Sequence, residues 1–340
     1  MEKDEALSMR ALELMGDSVV LDTHSHFLIM GHYLRKNFAK RHRPPWLWNP
    51  LRNTIDLPRL REGRVSCSTC TVYVPPPPLR LGAWRACLRI LDTLERLAAR
   101  NPDEVLRADC ARDIRAAKDQ GLLALLPAVE GGHVIGKRLE RVACLRERGV
   151  RLLTLTHFVP NRIADANGPL AVHGGLSDFG RQVVRACQEH GVVVDLAHCS
   201  QRAFDAVLEQ LERPPMVTHT ALRGDRRSER YLTLEQLDRL AERGGGVGVI
   251  LWPWYLKRRS IFGKLELAVE TYARMADRIG AEHLMIGSDM DGFTWTPRGL
   301  REVSDLPRLV AGLMERGFSD DELRGILGGN ALRILAQWER

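Results

Sequence analysis

The sequence predicts an α/β fold, a single (β/α)8 TIM-type barrel, and three observations predict it. Short apolar, β-branched runs recur along the whole chain, helical patterns lie between most of them, and the composition does not divide into halves. Strands alternating with helices belong to a parallel sheet, and eight of them close into a barrel. The length of 340 residues suits one such unit. The organisation expected is one barrel domain over residues 1–340, with a long insertion after the first strand at about 27–62.

The opening segment, MEKDEALSMRALELMGD, is acidic and helix-patterned, without the basic start and apolar middle of a signal peptide. The first strand candidate, Val19–Leu21, runs into Asp22-Thr23-His24-Ser25-His26. The second, Val65–Val74, contains Cys67 and Cys70. They form a lone C-x-x-C without a second pair to complete a zinc site, and read as buried reduced thiols. Helical patterns over Trp84–Arg100 and Ala108–Gln120 lead to the third strand, Leu122–Val129, and Gly136–Arg148 follows it. Val150–Leu155 is the fourth strand. A helix over Ser177–His190, opened by a capping serine, precedes the fifth strand, Val192–Leu196, and Ser200 caps the helix Ser200–Leu211 after it. The sixth strand is Met216–Thr218. Thr233 and Gln236 make a capping-box variant at the head of Thr233–Arg243. Gly246–Leu251 is the seventh strand, Lys264–Ile279 the next helix and His283–Gly287 the eighth strand. Helices over Ser319–Leu327 and Asn330–Trp338 close the chain.

Composition sets the broad class. With 44% hydrophobic and 27% charged residues the chain can bury a large core, and it holds no apolar stretch long enough to span a bilayer. A cytoplasmic enzyme is the simplest expectation, with no membrane partner. The net charge of +7 comes mostly from arginine, and one basic cluster, residues 35–43, stands out. It reads as a solvated face, with a lid that favours anionic groups as the alternative. Nucleic acid is not expected as a partner, and a homodimer is left open.

In a barrel, the C-terminal ends of the strands converge on one mouth, where active sites sit. The residues ending the strand candidates are His24 and His26, Glu130, His157, His198, His219 and Asp289, while the second and seventh strands run into Pro75 and Trp252. A lone buried histidine is usually a hydrogen-bonded core residue. Five of the eleven histidines meeting at one rim is a different matter. Histidines two apart on an extended segment face the same side, so His24 and His26 can share one ion. Glu130 has two oxygens and can link two cations, and His198 and His219 can hold the second. Imidazole suits zinc and related ions better than magnesium or calcium. Two such ions about 3.5–4 Å apart can share a water, lower its pKa and polarise a carbonyl. That combination hydrolyses an amide or ester at neutral pH.

At this point the residues resemble a family. The segments LDTHSH, PAVEGGH, RLLTLTHF, GLSDFGRQVVRACQEHGVVVDLAHCS, PMVTHTALR, RYLT, GSDMDG and GGNALRIL make the chain similar, from about Asp17 to Leu335, to the membrane (renal) dipeptidases, binuclear zinc peptidases of the amidohydrolase-like barrels. The resemblance implies two divalent metal ions, zinc first among them, and a dipeptide or related amide as substrate. It implies His24 as a ligand of the first ion, Glu130 as the bridge, and His198 and His219 as ligands of the second. It also implies that His157 contacts the substrate and the developing oxyanion, that Arg230 pairs with the substrate carboxylate, and that Asp289 binds the substrate amino group and shuttles the proton.

Two features depart from the family pattern. Where the dipeptidases carry histidine, any residue, aspartate, this chain has His24-Ser25-His26, so a neutral imidazole replaces a carboxylate and the site gains a unit of positive charge. His26 is expected to bind metal still. The stretch Phe27–Asp56 is rich in basic and aromatic residues, including Trp46 and Trp48, and Trp252, Pro253, Trp254 and Tyr255 form a second aromatic cluster near the mouth. These are read as substrate-covering walls or as packing between loops. A metal-dependent dipeptidase is thus the first expectation. The alternatives are the same site acting on another amide or an amino-acid-derived biosynthetic intermediate, and, more remotely, a non-catalytic barrel.

Overall fold

Apolar, β-branched runs buried on both faces form parallel strands, because helices cover the outside of the sheet while side chains fill the inside. The computed structural model describes residues 2–42, 53–76, 82–223, 228–256, 262–293 and 295–339. Its strands are β1 (Leu21–Ser25), β2 (Cys67–Tyr73), β3 (Val105–Arg107), β4 (Leu123–Glu130), β5 (Leu152–Thr154), β6 (Val193–Asp195), β7 (Met216–Thr220), β8 (Gly246–Val249) and β9 (Leu284–Ile286). They lie in the order β2-β1-β9-β8-β7-β6-β5-β4, and a β2–β4 pairing from Cys67↔Ala124 to Tyr73↔Glu130 closes the ring. Eight strands therefore make the expected barrel. The ninth, β3, pairs with the N-terminal half of β4 and lies outside the expectation. Three residues, Val-Leu-Arg, are too few to display a period.

Several strand boundaries differ from the expected ones for physical reasons. β1 runs on through Asp22 to Ser25 because the Asp22 carboxylate, although buried, accepts hydrogen bonds from the backbone of His24 and from both the backbone and the hydroxyl of Ser288. β7 likewise extends to Thr220. β9 is shorter than expected, since His283 ends the 3₁₀ turn Ala281–His283, its Nδ1 2.8 Å from the Gly245 carbonyl oxygen. The helix expected over Gly136–Arg148 forms only at Arg141–Glu147, because Gly136 has a left-handed φ of 65° that no helix interior accepts.

The serine and threonine caps act as expected. Ser177 and Ser200 accept from Gly180 N and Ala203 N, and Thr233 and Gln236 form a reciprocal capping box. At the C-terminus, Asp320–Arg324 continues through a π turn, Gly325–Gly329, into Asn330–Gln337. Helices at Phe27–Tyr33, Leu57–Glu62, Pro253–Leu256 and Leu306–Glu315 lie outside the sequence expectation. The last packs against the N-terminal helix Glu2–Asp17. All seven cysteines are free, and Cys67 and Cys70 are fully buried on β2, where burial pushes both thiols up. Among the described residues no helix is long and apolar enough to cross a membrane.

Candidate active site

The C-terminal ends of the barrel strands bring the sequence-derived residues to one mouth. His24 lies on β1 and His26 just past it, Glu130 ends β4, and His219 lies on β7. His157, His198 and Asp289 each sit three residues beyond β5, β6 and β9, and Arg230 lies in the segment after β7. Two of these residues hold backbone conformations that side chains rarely adopt. His198 has φ 64° and Asp289 φ 55°, the left-handed region for non-glycine residues. Strain of this kind clusters at functional sites and lasts only where its surroundings enforce it. Gly292 is part of that enforcement: a Cβ there would collide with Asp289 Oδ1 and with the His26 ring.

Ring nitrogens converge on the Glu130 carboxylate. His24 and His198 Nε2 are 3.5 and 3.3 Å from Oε1, His219 Nε2 is 3.7 Å from it, and His26 Nε2 is 3.4 Å from Oε2. Within each pair the Nε2 atoms nearly touch, 3.1 Å between His24 and His26 and 3.0 Å between His198 and His219. Asp289 Oδ1 is 3.2 Å from His26 Nε2 and 4.0 Å from His24 Nε2, while His157 Nε2 stands 3.8 Å from Glu130 Oε1.

The electrostatics fit a cation. Burial alone raises a carboxyl pKa, yet the imidazoles around it, His157 and His24 first, hold Glu130 well below the usual carboxylate range. Burial, together with Arg230 and neighbouring imidazoles, pushes His198 and His219 well down, so both rings are neutral at neutral pH. Burial also lowers His157. His24 is the exception: burial lowers it, but Glu130, Asp289 and Asp195 outweigh that and raise it. Among the described residues, buried Glu130 Oε2 has no hydrogen-bond partner. Imidazole nitrogens, those of His198 and His219 on neutral rings, gathered around an ionised carboxylate are the donor set of a divalent metal ion.

A cavity of about 310 Å³ opens on these groups, lined also by Tyr73, Phe158, Trp252 and Tyr255. Arg230 is buried, donates to the His219 carbonyl at 3.0 Å and lies 5.1 Å over the Tyr255 ring. Trp252 and Tyr255 therefore belong to the wall of the site, whereas Trp254 is partly exposed. Trp46, Trp48 and Arg43 lie outside the described residues. A larger cleft of about 710 Å³ runs between Gly31–Phe38 and Thr93–Asn101, and Arg35, Lys36, Arg96 and Arg100 line it. Among the described residues its lining has no carboxylate and one imidazole, so the ligand-type chemistry sits in the smaller cavity. The basic cluster divides accordingly: Arg35 and Lys36 face that cleft, while Arg41 pairs with Glu62 at 2.6 Å and Glu302 at 3.1 Å.

Sequence reasoning missed the polar layer beneath the ligands. Thr218, beside His219, and Asp195, three residues before His198, are both buried and hydrogen-bonded to each other. Their only signal was polarity inside otherwise apolar strands, in VTHT and VVVDLAH.

The family model for membrane dipeptidase, peptidase family M19, matches residues 8–340. The chain is 30% identical over 334 residues to Dipeptidase aclJ of Aspergillus oryzae, covering 94% of this chain and 78% of that protein. It is 29% identical over 343 residues to Dipeptidase 3 of Mus musculus, covering 99% and 68%. Among solved structures it is similar to dipeptidase AC, a metallo peptidase of the same family, at 26% identity and a TM-score of 0.83, covering 94% and 98%.

Proposed function

The chain belongs to the membrane dipeptidase family, and on that premise we propose that it hydrolyses dipeptides at a centre of two divalent ions, with zinc the ion these donors suit best. The observation that carries the reading is the convergence of four imidazole nitrogens on one buried carboxylate. His24 and His26 would hold one ion and His198 and His219 the other, with Glu130 placed within reach of both pairs. When bound, such ions supply Lewis acidity and an acidified water.

The remaining work falls to side chains. Arg230 offers a planar fork to the substrate carboxylate, and Asp289 takes the substrate ammonium and moves a proton to the leaving amine. His157, neutral and at the rim, donates to the carbonyl oxygen as it gains charge. Tyr73, Phe158, Trp252 and Tyr255 exclude water around a cavity whose volume suits a small ligand. Clamping both ends selects short substrates.

A panel of dipeptides, free or blocked at either end, tests this with fully metal-loaded protein. Free dipeptides should turn over, and N-acetyl or C-amide forms should not. Arg230→Ala should raise KM for free dipeptides by at least about thirtyfold, the lower range for truncating a buried charge pair. It should leave kcat far less affected. Loaded protein that cleaves no free dipeptide would point instead to another amide or an amino-acid-derived biosynthetic intermediate.

His26 carries a separate expectation. Its Nε2 lies 3.1 Å from that of His24, a distance that suits shared coordination. His26→Ala should lower bound metal from two equivalents toward one, with activity falling in step. Unchanged metal content and rate would remove His26 from the ligand set.

A further inference from the structure

We propose that Thr218 is a positioning residue for both halves of the metal centre. Its single hydroxyl, with its hydrogen committed to Asp195, fixes His24 and His219 in the tautomer that leaves each Nε2 free as a donor. The inference rests on the metal reading above and adds a residue to it.

The accounting starts at Asp195. One carboxylate oxygen, Oδ1, accepts from the backbone of Ala197 at 3.0 Å and of Thr218 at 2.9 Å. The other, Oδ2, accepts from the Thr154 hydroxyl at 2.5 Å and the Thr218 hydroxyl at 2.7 Å. A threonine hydroxyl has one hydrogen and two lone pairs. With the hydrogen given to Asp195, Thr218 can only accept from anything else. Two ring nitrogens face it, His219 Nδ1 at 3.0 Å and His24 Nδ1 at 3.3 Å. Thr218, Asp195, His24 and His219 are each no more than 1% exposed, so water does not compete. Each Nδ1 therefore carries the ring hydrogen, and each Nε2 presents a lone pair to the Glu130 cluster.

The arrangement is shared between the two ions. His24 belongs to the first pair and His219 to the second, and their rings stack at 3.8 Å with 30° between planes, so both edges reach one oxygen. The other member of each pair lacks this support: among the described residues, Nδ1 of His26 and of His198 has no hydrogen-bond partner. One ligand per ion is thus pre-set and one is free to adjust. Thr218 is itself held, since its carbonyl lies 2.7 Å from the Thr23 hydroxyl, whose one hydrogen it shares with the Ile286 carbonyl at the same distance. It also packs where any side chain on Gly248 or Gly287 would intrude, a Cβ at either colliding with the Thr218 carbonyl oxygen.

Two positions in the full chain test the role through zinc affinity, measured by chelator competition, and through ring tautomers, read by nitrogen NMR on metal-free protein at mildly alkaline pH. Thr218→Val keeps the shape and removes the hydroxyl, so both ions should bind about 10–100-fold more weakly, the usual cost of losing such support. Thr218→Ser should restore affinity to near the wild-type level. Asp195→Asn is isosteric and makes a sharper claim. The introduced amide must turn its oxygen to the two backbone N–H groups, which points its NH₂ at Thr218. The Thr218 hydroxyl then accepts from that NH₂ and donates to one ring, forcing the histidine concerned into the wrong tautomer. One ion should weaken and the other persist, with one ring switched to Nε2–H.

A merely structural role would lower the melting temperature without moving either tautomer, and would overturn the proposal. So would two ions held at wild-type affinity by both Thr218→Val and Asp195→Asn. Wild-type protein that takes up no zinc would sink the metal centre itself, an outcome distinct from either.

Discussion

Glu130→Gln is expected to empty the metal centre and lower kcat for dipeptide hydrolysis by at least about a thousandfold, since the ions supply both Lewis acidity and the nucleophile. The substitution preserves shape, which isolates the charge. In the wild type, Oε1 faces His24, His198 and His219 while Oε2 faces His26, so one side chain serves both pairs. A glutamine turns one of these two acceptors into an NH₂ donor. Whichever way the amide flips, a donor hydrogen then points where a cation should lie, and the compensating negative charge is gone. Both ions lose their shared anchor together, so metal content should fall toward zero after dialysis rather than to one equivalent. A variant that keeps two ions and a tenth of the wild-type rate would rule out Glu130 as the bridge.

How much of this could be read from the chain follows from where each residue sits. The barrel was legible because burial on both faces leaves mostly apolar, β-branched runs, and β2 and β4 to β9 announce themselves that way, even with Ser68, Thr69 and Thr71 inside β2. β3 did not, because three residues on the edge of β4 carry no pattern. His24, Glu130 and His219 stood out as polar residues on or ending apolar strands, a position that exposes chemistry to pattern reading. Arg230 stood at no strand end and entered only through the family resemblance. Its place depends on the His219 carbonyl and the Tyr255 ring, contacts made across the fold. Thr218 and Asp195 escaped altogether. Threonine and aspartate have ordinary uses inside or at the end of a strand, and only the geometry of a shared hydroxyl distinguishes this use from the rest. Asp289 and His198 were visible as residue types, but their left-handed backbones were not, since Asp and His only tolerate that conformation better than most residues and do not demand it.

Asp289→Asn should lower kcat by about 10²–10⁴, the range for losing a positioned proton-transfer group, while leaving two ions bound. The separation of these effects is the point. Asp289 Oδ1 lies 3.2 Å from His26 Nε2 and borders the cavity, so the carboxylate stands between the ligands and the space a substrate would fill. From there it can act as a ligand or as a proton carrier, and asparagine treats the two roles differently. The neutral amide is a much weaker metal ligand than a carboxylate, yet it keeps the shape that the strained φ of 55° and the absence of a side chain at Gly292 have accommodated. It cannot take up a proton and return it. A proton carrier therefore loses its rate with its metal intact, and KM also rises because the substrate ammonium loses its counter-charge. A ligand loses metal and rate together, and restoring the ion at high zinc concentration restores turnover. Recovery of activity on zinc addition would remove Asp289 from proton transfer and leave the leaving amine without a donor at this rim.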